Sequence, residues 1–214
     1  MIFRLDARLI FPDPSLAEED GLLAVGGDLS VERLLLAYQN GIFPWYNDDT
    51  PILWYSPHER FVLFPQELKI SKSMRQVLRS GRFKVTYDKS FAEVIEACSA
   101  TERDGQYGTW ITDDMKAAYI NLHHAGHAHS VEVWEDTELV GGLYGVQIGS
   151  VFCGESMFSR VSNASKVGLI GLCQKGKYTL IDCQVYTEHL ESMGARMISR
   201  KEYMGMLQNA GFKG

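Results

Sequence analysis

Two apolar segments of this chain each carry an acidic residue where a buried strand is predicted. Glu155 lies in the segment from Phe152 to Arg160, and Asp182 lies in the segment from Leu180 to Val185. A strand with Leu, Ile and Val on both faces is typical of a core, where a carboxylate is costly unless it is paired or used in chemistry. The pattern therefore predicts two core strands and makes Glu155 and Asp182 the first candidate functional residues.

Asp182 and Gln184 are two residues apart on one predicted strand, so their side chains share a face while Cys183 points the other way. A carboxylate beside an amide is suited to orient an amine nucleophile. The alternative is a strand end at which both side chains cap neighbouring backbone groups.

Glu155 and Phe152 lie on opposite faces of their strand if the alternation is strict. Gly154 between them indicates a bulge or a close backbone approach, which would let both side chains line one cavity. Ser156 is not predicted to be a nucleophile, because the G-x-S-x-G motif requires glycine where Phe158 stands.

The rest of the chain predicts an α+β protein with a largely antiparallel sheet and helices packed on it. The 214 residues suffice for one large domain or two small ones, and the polar linker at residues 99–108 is one candidate boundary. A hairpin is predicted around Asp136 and Thr137.

The cysteine pattern predicts buried thiols in a reducing compartment, with neither disulfides nor a zinc site. None of the four forms a C-x-x-C pair, and three lie in apolar runs. The first residues resemble neither a signal peptide nor a membrane helix, so we expect a cytoplasmic protein. The histidines from His123 to His129 are interpreted as a helix end, because Gly126 interrupts their spacing, and no metal is expected.

A basic segment from Leu68 to Tyr87 contains no acidic residue, although the whole chain has a formal net charge of -6. The spacing of Lys72, Arg75 and Arg79 places them on one face of a predicted helix. Two interpretations stay open, a solvated helix face and a track for nucleic-acid phosphates. Trp45 and Trp110 lie in irregular segments and are better candidates than Trp54 for stacking on a base.

Several segments together resemble the bacterial leucyl/phenylalanyl-tRNA–protein transferase family over nearly the whole chain. They are Gly21 to Leu29, Gly41-Ile42-Phe43-Pro44-Trp45, Thr109 to Thr112, Gly126 to Ser130, Phe152 to Arg160, and Ile181-Asp182-Cys183-Gln184. The resemblance implies an enzyme that moves Leu, Phe or Met from charged tRNA to proteins beginning with Arg or Lys, which marks them for degradation.

The resemblance also implies an acetyltransferase-like (GNAT-like) catalytic domain at residues 61–214 after a smaller α/β domain at residues 1–60. It implies that Asp182 and Gln184 are catalytic. No cofactor is expected, and because nothing in the sequence demands more than one subunit we expect a monomer. The implied aminoacyl-adenosine pocket consists of Trp45, Trp110, Phe152, Glu155, Met157 and the residue at position 172. Leu172 departs from the bulkier aromatic expected there, and the connection from Cys173 to Asp182 is shortened.

The implied reaction is aminolysis of an activated ester, which requires little help from a base because an α-amine has a pKa of about 7.7–8.0. Our hypothesis is that Gln184, held by Asp182, accepts a hydrogen bond from the amine, while the Asp182 charge favours a cationic acceptor. Asp182→Ala is then expected to abolish transfer and to leave the fold intact. Lys72, Arg75 and Arg79 are assigned to tRNA phosphates.

Two alternatives from other classes are an acyl-CoA-dependent N-acetyltransferase and a non-catalytic RNA-binding module. The first lacks its Q/R-x-x-G-x-G/A loop, because the predicted helix here starts at Ser162-Asn163-Ala164-Ser165-Lys166. The second leaves Asp182 and Gln184 without a purpose.

Overall fold

The computed structural model describes residues 2–101 and 111–211. The strands of these ranges are β1 (Phe3–Leu5), β2 (Leu22–Gly26), β3 (Phe43–Pro44), β4 (Leu53–Tyr55), β5 (Glu59–Leu63), β6 (Lys84–Tyr87), β7 (Ala128–Glu135), β8 (Glu138–Ile148), β9 (Val151–Ser159), β10 (Leu180–Gln184) and β11 (Arg196–Ser199). The helices are α1 (Val31–Gln39), α2 (Lys72–Arg79), α3 (Phe91–Ser99), α4 (Asp113–His124), α5 (Ala164–Gln174), α6 (Glu188–Ser192) and α7 (Arg200–Gln208), with short 3-10 helices at Pro14–Leu16 and Pro65–Glu67. None of the helices in these two ranges is long and apolar enough to cross a membrane.

The strands form a small N-terminal sheet and a larger mixed sheet. The small sheet has the order β1-β2-β4-β3, and the seven-stranded sheet has the order β11-β5-β10-β9-β8-β7-β6. In the larger sheet the β9–β10 pair is parallel, and the other pairs are antiparallel. The α+β prediction and the β7–β8 hairpin are confirmed. The boundary at residue 60 stays a prediction, and most of the alternative break at 99–108 lies outside the described residues.

Helices cover both faces of the larger sheet, which explains why its central strands are apolar throughout. One buried cluster joins the small sheet and α1 to α3, α4 and one face of the large sheet. A second cluster lies between the other face and α5. Along β5, Val62 belongs to the first cluster, whereas Phe61 and Leu63 belong to the second. The N-terminal part of the chain therefore packs on the face toward which Val62 points.

A bulge in β9 depends on a glycine in β8. Tyr144 lies opposite Ser156 and Gly145 lies opposite Gly154, so Glu155 is the extra residue. A Cβ atom on Gly145 would lie 2.3 Å from the Cys153 carbonyl oxygen and 2.7 Å from the Phe152 ring. Gly145 is thus required by the close approach of the two strands.

Gly145→Ala should destabilise the fold by about 1–3 kcal/mol, because the added methyl group overlaps backbone that cannot move aside cheaply. Gly205→Ala in α7 is the matched control, since a Cβ there meets nothing within 4 Å. We expect this control to stabilise the protein by about 0.5–1 kcal/mol through helix propensity. Urea unfolding measures the stability of both variants. Equal midpoints would contradict the conclusion that the close approach of the two strands requires Gly145.

Candidate active site

The candidate site lies where β9 and β10 separate. The two strands pair over three positions, and the last pair is Cys153 with Asp182. Beyond it each strand leaves regular geometry, because Glu155 forms the bulge and Gln184 adopts a φ of 61°. A cavity of about 420 Å³ lies at this gap, a size within the usual range for small-molecule sites.

Five of the predicted site residues line this cavity: Phe152, Glu155, Met157, Leu172 and Asp182. The bulge near Gly154 that was predicted to bring Phe152 and Glu155 to one cavity is confirmed. Helices α5 and α6 complete an apolar wall with Leu169, Leu172 and Leu190. The site therefore combines an apolar chamber with a polar end at Glu155.

The carboxylate of Asp182 is fully buried and turned toward the interior of the protein. Asp182 lies opposite Val62 in the β5–β10 pairing, which places its side chain on the face covered by the N-terminal part of the chain. Its Oδ1 accepts hydrogen bonds from Gln184 N at 2.8 Å and from Arg60 Nε at 3.3 Å. Its Oδ2 accepts from the Tyr203 hydroxyl at 2.7 Å and from Arg60 Nη2.

Arg60 compensates the charge of Asp182 inside the protein. The guanidinium group, 1% exposed, lies 4.8 Å from the Phe43 ring centroid and 4.5 Å from that of Tyr203, and its Nη1 donates to the Gly41 carbonyl at 3.0 Å. Burial lowers the pKa of Arg60, but the charge and hydrogen bond of Asp182 and the interactions with Tyr203 and Cys153 together raise it by more, so the guanidinium stays protonated.

This ion pair corrects the expectation that Asp182→Ala leaves the fold intact. The substitution would leave the Arg60 charge buried without its partner, a change that typically costs about 3–5 kcal/mol. Loss of transfer by that variant would therefore not separate a catalytic role from unfolding.

Gln184 is held by Asp182 through its main chain, whereas its side chain binds another residue. The bond from Gln184 N to Asp182 Oδ1 spans two residues, as in an Asx-turn. The carboxamide Nε2 donates to Glu155 Oε1 at 2.8 Å. This bond fixes the orientation of the amide and leaves Gln184 Oε1 as the acceptor of the group.

Glu155 is buried among polar groups at the open end of the two strands. Its Oε2 accepts from the Tyr119 hydroxyl at 3.0 Å, and that hydroxyl is in turn hydrogen-bonded to the hydroxyl of Tyr38. Burial raises the pKa of Glu155 from 4.5 to about 7, against these hydrogen bonds, which lower it. Burial also raises the pKa of both tyrosines, so they act as neutral donors.

Neither Trp45 nor Trp54 is among the described residues that line the cavity. Trp45 is 38% exposed and its ring packs 6.0 Å from that of Tyr55. Trp110 lies outside the described residues. Trp54 is fully buried and donates from Nε1 to the Gly26 carbonyl at 2.8 Å, as expected of a core residue.

The three basic residues Lys72, Arg75 and Arg79 lie on α2, and all three are exposed. No ion pair joins them to an acidic residue in residues 2–101 or 111–211. Met74 on the opposite side of α2 is buried in the second cluster. The helix thus presents a solvent-facing cationic row.

The histidine run begins at the end of α4, where His123 and His124 lie in the last turn as predicted, and it continues to His129 in β7. His123 stacks on Phe91 with ring centroids 4.3 Å apart, and His129 pairs with Asp88 at 2.9 Å. Among the residues that the structure describes, no group of three or more His, Cys, Asp or Glu side chains is placed to hold a metal ion.

Four residues of the site were not predicted from the sequence: Tyr38 and Tyr119, which contact Glu155, and Arg60 and Tyr203, which contact Asp182. Arg60 had a usable signal, because it precedes the apolar run Phe61-Val62-Leu63-Phe64 just as Asp182 sits in one. The tyrosines had none, since a tyrosine in a helix is ordinary and its partner is far away in sequence.

Two protein-family models match the chain. The model described as leucyl/phenylalanyl-tRNA protein transferase covers residues 62–208, and the model described as the N-terminal domain of that transferase covers residues 27–58. The leucyl/phenylalanyl-tRNA--protein transferase of Syntrophobacter fumaroxidans is 59% identical, over 96% of this chain and 89% of the relative. The transferase of the same name from Flavobacterium johnsoniae is 58% identical, over 97% of this chain and 100% of the relative.

Among solved structures, a crystal structure of FemX matches with a TM-score of 0.48 and 12% identity, over 83% of this chain and 70% of that chain. A similarity of this size carries no argument about the site.

Glu155→Gln should change how stability depends on pH. The folded protein holds the Glu155 proton up to about pH 7, whereas the unfolded chain releases it near the ordinary value of 4.5. Stability should therefore fall as the pH rises between these values, by on the order of 3 kcal/mol from this group, and level off above them. Urea unfolding at pH 5 and pH 8 should show a smaller decrease for Glu155→Gln than for the wild type. The same decrease in both proteins would rule out this titration.

Proposed function

The chain belongs to the leucyl/phenylalanyl-tRNA protein transferase family, and we propose that its reaction takes place in the cavity between β9 and β10. It is an aminoacyltransferase with an aminoacyl-tRNA as donor and a protein as acceptor. The acyl-CoA-dependent acetyltransferase and the RNA-binding module are therefore set aside. The observation that carries the placement is the Glu155 carboxylate, which lines the cavity and accepts a hydrogen bond from the Gln184 carboxamide at 2.8 Å.

The transferred residues in this proposal are Leu, Phe and Met. The apolar walls formed by Phe152, Met157 and Leu172 favour an uncharged, apolar side chain. Leu172 in place of an aromatic leaves more room at that wall.

The smaller N-terminal domain of this proposal ends near residue 60, because the last strand of the small sheet ends at Tyr55 and the first strand of the large sheet begins at Glu59. The protein acts as a monomer.

The reaction is attack of the acceptor's α-amine on the ester carbonyl of the aminoacyl-tRNA. A C–N bond forms, the C–O bond to the terminal ribose breaks, and the amine proton ends on the released ribose hydroxyl. Gln184 Oε1 accepts a hydrogen bond from the attacking amine and so directs its lone pair toward the carbonyl carbon. Holding the two groups in attack geometry can supply roughly 7–11 kcal/mol, so no covalent enzyme intermediate is required.

Asp182 acts through Gln184 in this proposal, and it does not select the acceptor. Its side chain is 0% exposed and its charge is balanced by Arg60, so it presents no net charge to the cavity. Glu155 lines the cavity without a cationic partner among the described residues, and in its ionised form it favours an acceptor beginning with Arg or Lys.

The donor tRNA is held by two further groups of residues. Lys72, Arg75 and Arg79 contact phosphates, a role supported by their exposure on one face of α2. Trp45 and Trp110 stack on the terminal adenosine, and the exposed Trp45 ring supports this for one of the two.

Gln184→Gly should lower kcat by about 10²-fold, because it removes the amide that directs the amine. Glycine is chosen because it accepts the φ of 61° at this position. The assay is transfer of radiolabelled leucine from charged tRNA to a peptide with N-terminal arginine, beside the same peptide with N-terminal alanine. Gln174→Ala, at an exposed position of α5, is the control. Transfer by Gln184→Gly within about threefold of the control would refute the assignment.

Replacing Lys72, Arg75 and Arg79 by Gln should weaken tRNA binding and flatten its salt dependence. If each residue neutralises one phosphate, the slope of log K against log salt falls by about 2 in magnitude. The control is a triple variant at the exposed Arg4, Lys89 and Lys201, which removes the same charge elsewhere. Equal slopes for the two triple variants would show that α2 is only a solvated helix face.

A further inference from the structure

Asp182 is saturated with hydrogen bonds that come from distant parts of the chain. An ionised carboxylate has about four lone-pair sites. Here Arg60 donates two bonds, Tyr203 one and the Gln184 main chain one. The donors come from β5, α7 and β10, so the position of Asp182 depends on contacts that span 122 residues of sequence.

The backbone at Gln184 needs such support. A non-glycine residue in the left-handed region costs about 1 kcal/mol or more relative to the ordinary conformation. The bond from Gln184 N to Asp182 Oδ1 closes the turn that requires this conformation. From that turn the carboxamide reaches Glu155 at 2.8 Å. A rotation of the Asp182 side chain would release the turn and with it the amide.

Arg60 and Tyr203 together prevent that rotation. The Tyr203 hydroxyl donates to Oδ2, and the Tyr203 ring also packs against the Arg60 guanidinium, which lies over the Phe43 ring as well. The Gly41 carbonyl fixes the remaining end of the guanidinium. Neither Arg60 nor Tyr203 is among the residues that line the cavity within the described chain.

We propose that Arg60 and Tyr203 are positioning residues for transfer, which lock the Asp182 carboxylate and through it the turn that aims the Gln184 amide at the attacking amine. This inference rests on the proposed role of Gln184. The locked carboxylate affects the rate of the chemical step and leaves the binding of donor and acceptor unchanged, because neither residue contacts the cavity.

Tyr203→Phe tests the proposal, since it keeps the ring on Arg60 and removes one hydrogen bond to Asp182. We expect kcat for leucine transfer to fall roughly 10-fold, with KM for aminoacyl-tRNA and for the arginine peptide unchanged. Tyr87→Phe is the matched control, because it also loses one hydroxyl bond, 2.9 Å to the Gly171 carbonyl, away from Asp182. We expect kcat of the control within about twofold of wild type. Arg60→Lys, which keeps the charge but not the fork geometry, should lower kcat in the same way.

All variants are assayed at a temperature where circular dichroism shows them folded. Equal kcat values for Tyr203→Phe and Tyr87→Phe would overturn the proposal. So would a loss of activity in Tyr203→Phe that comes from a higher KM while kcat stays unchanged. The Gln184→Gly variant distinguishes a failure of the positioning role from a failure of the proposed function. If Gln184→Gly loses transfer while Tyr203→Phe resembles its control, only the positioning role is wrong. If Gln184→Gly transfers normally, the assignment of the reaction to Gln184 fails, and the positioning role fails with it.

Discussion

The ion pair between Arg60 and Asp182 is the interaction on which the site depends. Both side chains are removed from water, at 1% and 0% exposure, and such burial is tolerated only when geometry and further hydrogen bonds compensate for lost hydration. Tyr203 and the Gly41 carbonyl supply those bonds. Arg60 also joins strands β5 and β10 of the large sheet to the N-terminal part of the chain, through the Gly41 carbonyl and the Phe43 ring, so the fold and the site share one set of contacts.

The second constraint is the separation of two parallel strands. Pairing of β9 with β10 ends at Cys153 and Asp182. Beyond that point β9 has the bulge at Glu155 and β10 has the left-handed residue Gln184, so a gap opens between the two described strands. The side-chain bond between Gln184 and Glu155 spans it instead. The cavity is therefore a consequence of backbone geometry, and its polar end is built from the residues that break the strands.

Much of this arrangement could be predicted from local sequence, because acids in apolar strands and a glycine beside one of them are unusual. Asp182, Glu155 and the bulge near Gly154 were found in this way. What could not be predicted is what those acids contact. The partner of Asp182 lies 122 residues away and is an arginine whose burial only the folded chain shows. For that reason we expected from the sequence that the charge of Asp182 selects the acceptor. In the structure Arg60 balances that charge inside the core.

The central claim is that the buried pair acts on the reaction only through Gln184. A double-mutant cycle of Tyr203→Phe and Gln184→Gly in single-turnover leucine transfer tests it most directly, since coupled residues give non-additive effects. We predict that Tyr203→Phe slows wild type roughly 10-fold and has no further effect once Gln184 is replaced. Equal slowing in both backgrounds would contradict the account, because it would mean that Tyr203 affects transfer by a route that does not include the amide.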